Sequence, residues 1–246
     1  MPHLSPARPP PSGGASALPV PFGWRLLSLH LSPFHFMQLL SINVGRPRVL
    51  NWNGREIRTA IFKQPVTGPV ALARFNLAND EQADLRVHGG PDKAVYAYDA
   101  THYAAWRALL PAWTDWTPGL FGENLTTEGL LETAVRVGDV FGLGTTQLRA
   151  VQPRQPCYKL NARFDDGGMA ARFARADRPG IYFRVEEPGT VQAGDAFTLL
   201  EAATTTITIQ DISHLLTARS VEAGRLAEVL ALPHLPAEVR GQLGSR

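Results

Sequence analysis

Between residues 38 and 200 the chain alternates short apolar runs with turn signals, and this rhythm restricts what it can fold into more than any other feature. The run QLLSINV at 38–44 reads as a strand. Asn53-Gly54 lies between VLNW and REIRTAIF, and that dipeptide marks a two-residue hairpin with a type I′ turn, because both residues tolerate positive φ. Further short strands are expected at 70–75, 94–98, 134–141, 147–151, 181–185 and 196–200, with Gly138-Asp139 and Gly194-Asp195 among the turns. Strand–helix units long enough for a doubly wound sheet are missing, so the pattern favours a closed barrel. The expected class is mainly β, within α+β.

Helical signals are fewer. Asp99 can cap a helix running to 110, and 168–176 repeats apolar residues at helical spacing. After 201 the texture changes, and 209–218, 221–232 and 236–243 read as three short helices parted by turn or proline positions. The expected organisation is a barrel domain at 37–202 and a small three-helix C-terminal subdomain at 203–246. Residues 1–36 differ from both: Pro9, Pro10 and Pro11 precede Gly13-Gly14 and an apolar stretch broken by Arg25, His30, Pro33 and His35. That composition disfavours folded structure and is too interrupted for a transmembrane helix or a signal peptide. The expectation is a disordered extension, or a true start at Met37, where patterned sequence begins.

At 246 residues and 44% hydrophobic content the chain can bury one sizeable core. Its 24 Lys and Arg nearly balance 22 Asp and Glu, with no long basic run, so nucleic acid is not an expected partner, and neither is a membrane. One cysteine excludes an intramolecular disulfide, a cysteine-rich zinc site and a self-contained four-thiolate iron–sulfur cluster, and fits the cytoplasm. No H-E-x-x-H motif occurs, so His88 and His102 do not form that zinc site.

Three segments concentrate groups capable of chemistry. In QPRQPCYKLNARF, residues 152–164, Cys157 has Arg154 and Lys159 nearby, and positive charge favours a thiolate. A thiolate in a proline-stiffened loop suits a soft metal or nucleophilic redox chemistry; a lone cysteine is also commonly an inert core residue. In VHGGPDKAVYAY, residues 87–98, the two glycines and Lys93 can gather donors around an anion, or simply make a tight turn. In FGENLTTEGL, residues 121–130, Glu123 and Asn124 can meet a planar heterocycle, or form a β-turn. Asp80, Asp84 and Asp92 read as turn or cap residues, one of them a candidate for proton supply.

Taken in order, HGGPDKAVYAY, FGENLTTEG and QPRQPCYKLN resemble the MOSC domain, a family named from the C-terminal domain of molybdenum cofactor sulfurase. The likeness is to the bacterial subgroup associated with resistance to 6-N-hydroxylaminopurine, and it extends from MQLLSINVGRPR through NDEQADLRVHGG to the helical tail. It implies a β-barrel core holding a molybdopterin-type molybdenum cofactor, with no pyridoxal phosphate, and with Cys157 as the protein's metal ligand. His88, Gly89, Gly90 and Lys93 would lie around the cofactor's anionic end, and Asn124, Arg154 and Tyr158 would line its pterin or the substrate opening. Two features depart from the subgroup: Asn79-Asp80 stands where Gly-Asp is common, and the last helix carries fewer basic and aromatic residues.

The activity implied is reduction of an N-hydroxylated base such as 6-N-hydroxylaminopurine, or a similar N-oxygenated compound, serving detoxification, with Cys157 and Arg154 as the catalytic residues. With no second cysteine and no evident G-x-G-x-x-G fingerprint, electrons would come from a separate flavin-containing NAD(P)H reductase. The alternative is a carrier that accepts sulfur or molybdenum cofactor on Cys157 without turnover. A thiol redox sensor is a third possibility and would need an intermolecular partner. The oligomeric state, a homodimer included, stays open.

Overall fold

The computed structural model describes residues 37–84 and 89–245, so the expectations for 1–36 and for His88 lie outside the described residues. In chain order the elements are β1 (Gln38–Val44), β2 (Arg48–Trp52), β3 (Arg55–Thr59), β4 (Gln64–Val66), β5 (Val70–Leu72), β6 (Val95–Asp99), α1 (Thr101–Leu109), β7 (Leu125–Glu128), β8 (Val140–Leu143) and β9 (Thr146–Pro153). There follow α2 (Tyr158–Phe164), α3 (Met169–Ala176), β10 (Ile181–Glu187), β11 (Gly189–Val191), β12 (Thr198–Glu201), α4 (Ile209–Thr217), α5 (Ala223–Leu230) and α6 (Ala237–Gly244). The class is mainly β within a mixed α+β fold.

Eight strands form one sheet in the order β12-β8-β9-β10-β6-β7-β1-β4. Its neighbours are antiparallel except β6 with β7. The expected barrel does not close as a continuous ladder, because β1 divides its outer edge. Residues 42–44 pair with β4, whereas the start of β1 meets the chain ahead of β12 through an isolated Gln38–Ala196 bridge. Three backbone hydrogen bonds make that junction: Leu39 N to Asp195 O at 2.9 Å, Gly194 N to Leu39 O at 2.7 Å and Phe197 N to Met37 O at 2.8 Å. The turn just before it, with Asp195 N bonded to Gln192 O and Gly194 at φ +99°, leaves only this short stretch available for pairing.

Hairpin β2–β3 follows its dipeptide signal: Trp52 pairs with Arg55, and Asn53 and Gly54 take φ of 52° and 73°. The expected strand at 134–141 begins only at Val140. Ahead of it Val135 N bonds Leu131 O, Asp139 N bonds Arg136 O, and Gly138 sits at φ +104°, a succession of turns that the alternating valines conceal. Strands β4, β7 and β11 and helix α2 carry too few residues for a period to be seen in advance. Asp99 caps α1 from just outside it, its Oδ1 accepting from Thr101 N at 2.9 Å and Thr101 Oγ1 at 2.7 Å.

Alternating residues of β9 and β10 point into a core where Phe141, Phe183 and Phe197 meet at ring separations of 6.2 to 6.5 Å. Ile209, Ile212, Val229, Val239 and Leu243 of the tail helices join that same core. Helix α4 starts on a capping box, Thr208 Oγ1 accepting from Asp211 N and Asp211 Oδ2 from Thr208 N. A second, aromatic core gathers Tyr98, Trp106, Phe121, Phe164 and Phe173, with the Trp106 and Phe173 rings stacked at 5.8 Å. Phe183 is fully buried, so Phe183→Ala is expected to lose about 3–5 kcal/mol of stability, read from urea unfolding. A loss well under 1 kcal/mol would show that the three-phenylalanine centre does not pack as described.

Candidate functional site

An open cleft of about 670 Å³ lies beside the sheet. The 59–63 stretch after β3 contributes Thr59, Ala60, Ile61 and Lys63, and the 80–83 loop contributes Asp80 to Ala83. Tyr96 of β6, Tyr182 of β10 and Asn124 form the sheet side, and Arg154, Gln155, Cys157 and Lys159 close the rest together with Lys93. Four cationic side chains face two acidic ones, Asp80 and Glu81, so the opening favours an anionic guest.

Its wall is built from a buried polar network. Asp80 Oδ1 accepts from Lys63 Nζ at 2.5 Å and from Gly45 N at 2.7 Å, while Oδ2 accepts from Asn124 Nδ2 at 2.8 Å. Asn124 is fixed at its other end, Oδ1 accepting from Tyr96 N at 3.2 Å. Burial pushes the Lys63 amino group below its ordinary value, a pull that the Asp80 carboxylate only partly offsets. Burial also lifts the Tyr96 and Tyr182 hydroxyls above their ordinary range, which keeps both neutral donors.

Cys157 is free, partly exposed, and stands as the residue ahead of α2. The thiol was expected in a proline-stiffened loop; it stands where that loop ends, Leu160 N bonding Cys157 O as the chain turns helical at once. Leu160 and Phe164 anchor that helix in the aromatic core, which places the thiol on a held element. Arg154, at 7% exposure, lies with its guanidinium 5.2 Å from the Tyr96 ring and 4.9 Å from the Phe173 ring. Its Nη1 is buried without a hydrogen-bond partner, in a position where a guanidinium keeps its charge. Lys159, also buried, has no ion pair among the described residues.

The expected residues are therefore not all together. Cys157, Arg154, Lys93 and Asn124 share the cleft lining; Gly89, Gly90 and Tyr158 do not line it. Gly90, at φ +94°, leads into a short 3-10 turn, Pro91–Lys93. That turn is tied down by Asp92, whose Oδ1 accepts from Arg184 Nε at 2.8 Å, and by Gln152 Nε2 on the Asp92 carbonyl at 3.0 Å. Lys93 leaves the turn toward the cleft and pairs with Glu238 of α6 at 2.5 Å. Tyr158 is 53% exposed. His102 is paired in the core with Glu132 at 3.0 Å, away from the cleft lining.

Glu123 and Asn124 part company. Asn124 faces the cleft, while the fully buried Glu123 accepts from Tyr103 Oη, Gly119 N at 2.8 Å, Phe121 N at 3.0 Å and Thr126 Oγ1 at 3.0 Å. Sequence reasoning missed Lys63, Tyr96 and Tyr182 as lining residues, named Lys159 only as a charge near Cys157, and read Asp80 as a turn or cap residue and one of three candidates for proton supply. The Asn79-Asp80 departure was the available signal: Asn79 takes φ +64°, and that turn delivers the carboxylate to the cleft.

A family model described as the MOSC domain matches residues 84–198. The chain is 42% identical over 172 residues to YflK of Bacillus subtilis, covering 70% of this chain and 77% of that protein. It is 36% identical over 197 residues to a protein of Gibberella moniliformis named a reductase, covering 79% of this chain but only 35% of that protein's length. Among solved structures, YiiM from Geobacillus stearothermophilus superposes with a TM-score of 0.72 at 31% identity, over 85% of this chain and 98% of that one. No helix among the described residues is long and apolar enough to cross a membrane.

The buried carboxyl beside the cleft supplies a pH test. Burial lifts Glu123 above the ordinary glutamate value of 4.5, despite the hydrogen bonds that act to lower it. Between those two values the folded chain holds a proton that the unfolded chain has released, so the contribution of Glu123 to stability declines as pH rises through this window. Unfolding free energies of the wild type and Glu123→Gln, measured across that window, are expected to shift in favour of the variant as pH rises. A difference independent of pH would refute the assignment.

Proposed function

The chain belongs to the MOSC domain family, in the group that holds the YiiM proteins, and on that premise we propose that it is a molybdenum-cofactor-dependent reductase of N-hydroxylated compounds. N-hydroxylated bases are the substrate class, and Cys157 is the protein's ligand to molybdenum. The observation that carries this reading is the cleft itself, where one free thiol opens beside a buried, charged Arg154 whose Nη1 has no partner. A buried donor left unpaired costs about 1–3 kcal/mol, a cost that an anionic guest relieves. The reductase named in Gibberella moniliformis supports the reaction class.

The donor set fits such a cofactor. A thiolate is a soft, strongly donating ligand, and among the described residues no group of three metal-ligating side chains gathers, so the metal would bring its other ligands with the pterin. Arg154, Lys93 and Lys159 would hold the anionic end. Asn124 presents a fixed amide to the ring system, because Asp80 and the Tyr96 amide hold both its ends. Bound there, the cofactor supplies two-electron chemistry at the metal. Lys63, next to Asp80 and held below its ordinary pKa by burial, keeps a proton available at the cleft wall. Electrons come from a separate flavin-containing NAD(P)H reductase.

Protein from a cofactor-competent host is expected to contain molybdenum and pterin, and reduced methyl viologen to drive hydroxylamine-to-amine conversion. Cys157→Ala is expected to lose metal and turnover together, and Cys157→Ser to keep more metal with altered activity, since a hard oxygen donates less strongly. Normal turnover by Cys157→Ala would sink the ligation. A persulfide on Cys157 with neither molybdenum nor activity would instead make the chain a carrier.

Arg154→Met separates binding from folding. It removes the orphaned donor together with the ring contacts, so apo-protein stability is expected to stay within about 1 kcal/mol while cofactor content falls. Equal cofactor content in the variant would remove Arg154 from the site.

A further inference from the structure

Hairpin β2–β3 stands apart electrostatically. Its strands pair with each other and with no other sheet, and between residues 48 and 58 it carries Arg48, Arg55 and Arg58 against Glu56 alone. Arg48, Arg55 and Arg58 are exposed, as is the apolar Val49 at 57%. The end of β3 runs straight into the cleft lining at Thr59, Ala60 and Ile61.

At the base of this arm, two guanidiniums share one ring. Arg48 lies 3.4 Å from the centre of Phe62, and Arg163 of α2, the helix that follows Cys157, lies 5.0 Å from it. Burial lowers the Arg163 pKa, the Asp115 carboxylate at 4.0 Å partly offsets this, and the nearby Arg48 charge adds a smaller lowering. Arg163 Nε is buried with no partner. Asp115 supplies an anion to Arg163, so of the two guanidiniums the exposed Arg48, without an ion pair among the described residues, is the one open to an outside partner.

We propose that the β2–β3 arm forms the docking surface for an acidic redox protein, a reduced flavoprotein that delivers electrons at the mouth of the cleft. The inference rests on the reductase reading. Reduction of R–NHOH takes two electrons and two protons, breaks the N–O bond, forms an N–H bond and releases water. The flavin hydroquinone supplies the electrons, becoming oxidised and returning two protons to solvent. Electron transfer needs the two redox groups close together, so the donor must dock beside the cleft. Transient redox complexes of this kind are small and steered by opposite charge. A second copy of the same arm is a poor occupant, because a two-fold contact would set arginines against arginines.

The test compares two donors, flavodoxin hydroquinone, which is an acidic FMN protein, and reduced methyl viologen, which needs no docking surface. In the wild type the flavodoxin-driven rate is expected to fall as ionic strength rises from about 0.02 M to about 0.5 M, with the viologen-driven rate flat. The Arg48→Glu/Arg55→Glu double variant is expected to slow flavodoxin-driven turnover about tenfold or more, with viologen-driven turnover unchanged. Arg48→Gln/Arg55→Gln should give a smaller loss of the same kind, which guards against misfolding of the reversal variant. Equal loss with both donors, no loss with either, a changed oligomeric state, or single-stranded DNA binding that the variant abolishes while flavodoxin turnover persists, would each overturn the proposal. If viologen drives no turnover in the wild type, the reductase reading fails. Salt-sensitive association of the holoprotein with flavodoxin, measured by calorimetry, then decides the surface by itself: binding weakened by the reversal supports it, and its absence overturns it.

Discussion

The carboxylate of Asp80 accepts hydrogen bonds from three separated parts of the chain at once: the Gly45 amide after β1, the Lys63 amino group before β4 and the Asn124 side chain before β7. Taking a carboxylate and an amine out of water costs several kcal/mol for each ion, and only full pairing offsets it. Both Asp80 oxygens are used, and Asn124 passes the constraint on to the Tyr96 backbone. The cleft wall is thus a single connected object in which no member can turn without exposing another's charge or donor. That rigidity lets one free thiol, and one guanidinium with an unpartnered Nη1, stand out against it.

Much of the frame was legible because its signals are local. Asn53-Gly54 specifies a hairpin through two backbone conformations, and both residues take them. The tail helices announce themselves through apolar spacing and a Thr208–Asp211 capping box. What stayed hidden depends on partners distant in sequence. The edge of β1 is divided between β4 and residues 194–197, which no local pattern encodes, and this is why a full barrel was expected and an incompletely closed sheet is found. Helix α2 spans seven residues, less than two full turns of apolar spacing, behind two prolines that suggest a loop.

The site was half legible for a related reason. Glu123 and Asn124 looked like a pair, but their side chains take different partners, Glu123 bonding Tyr103 in the aromatic core and Asn124 bonding Asp80 in the cleft wall. Lys63 carried no motif at all. Its role comes from meeting a carboxylate seventeen positions away across a turn set by Asn79 at positive φ. Cys157 drew notice as the one thiol of the chain, and Arg154 and Lys159 as the cations beside it in sequence, whereas Tyr182 differs in nothing but location from residues elsewhere.

A net charge of +2 hides a strong asymmetry. The cleft lining gathers Lys63, Lys93, Arg154 and Lys159, and the neighbouring arm adds three arginines against one glutamate. Asp80 and Glu238 pair with Lys63 and Lys93, and Glu81 lies against Arg46, so the cations of the lining without an ion pair among the described residues are Arg154 and Lys159, the two nearest Cys157 in sequence. An anionic cofactor would neutralise that remainder. It would not neutralise the arm, whose exposed arginines project the field that an approaching acidic partner meets first, at separations where screening still permits steering. The two positive regions therefore have separable jobs, one holding a guest by short contacts and the other orienting a partner at longer range, and the β3 strand end joins them.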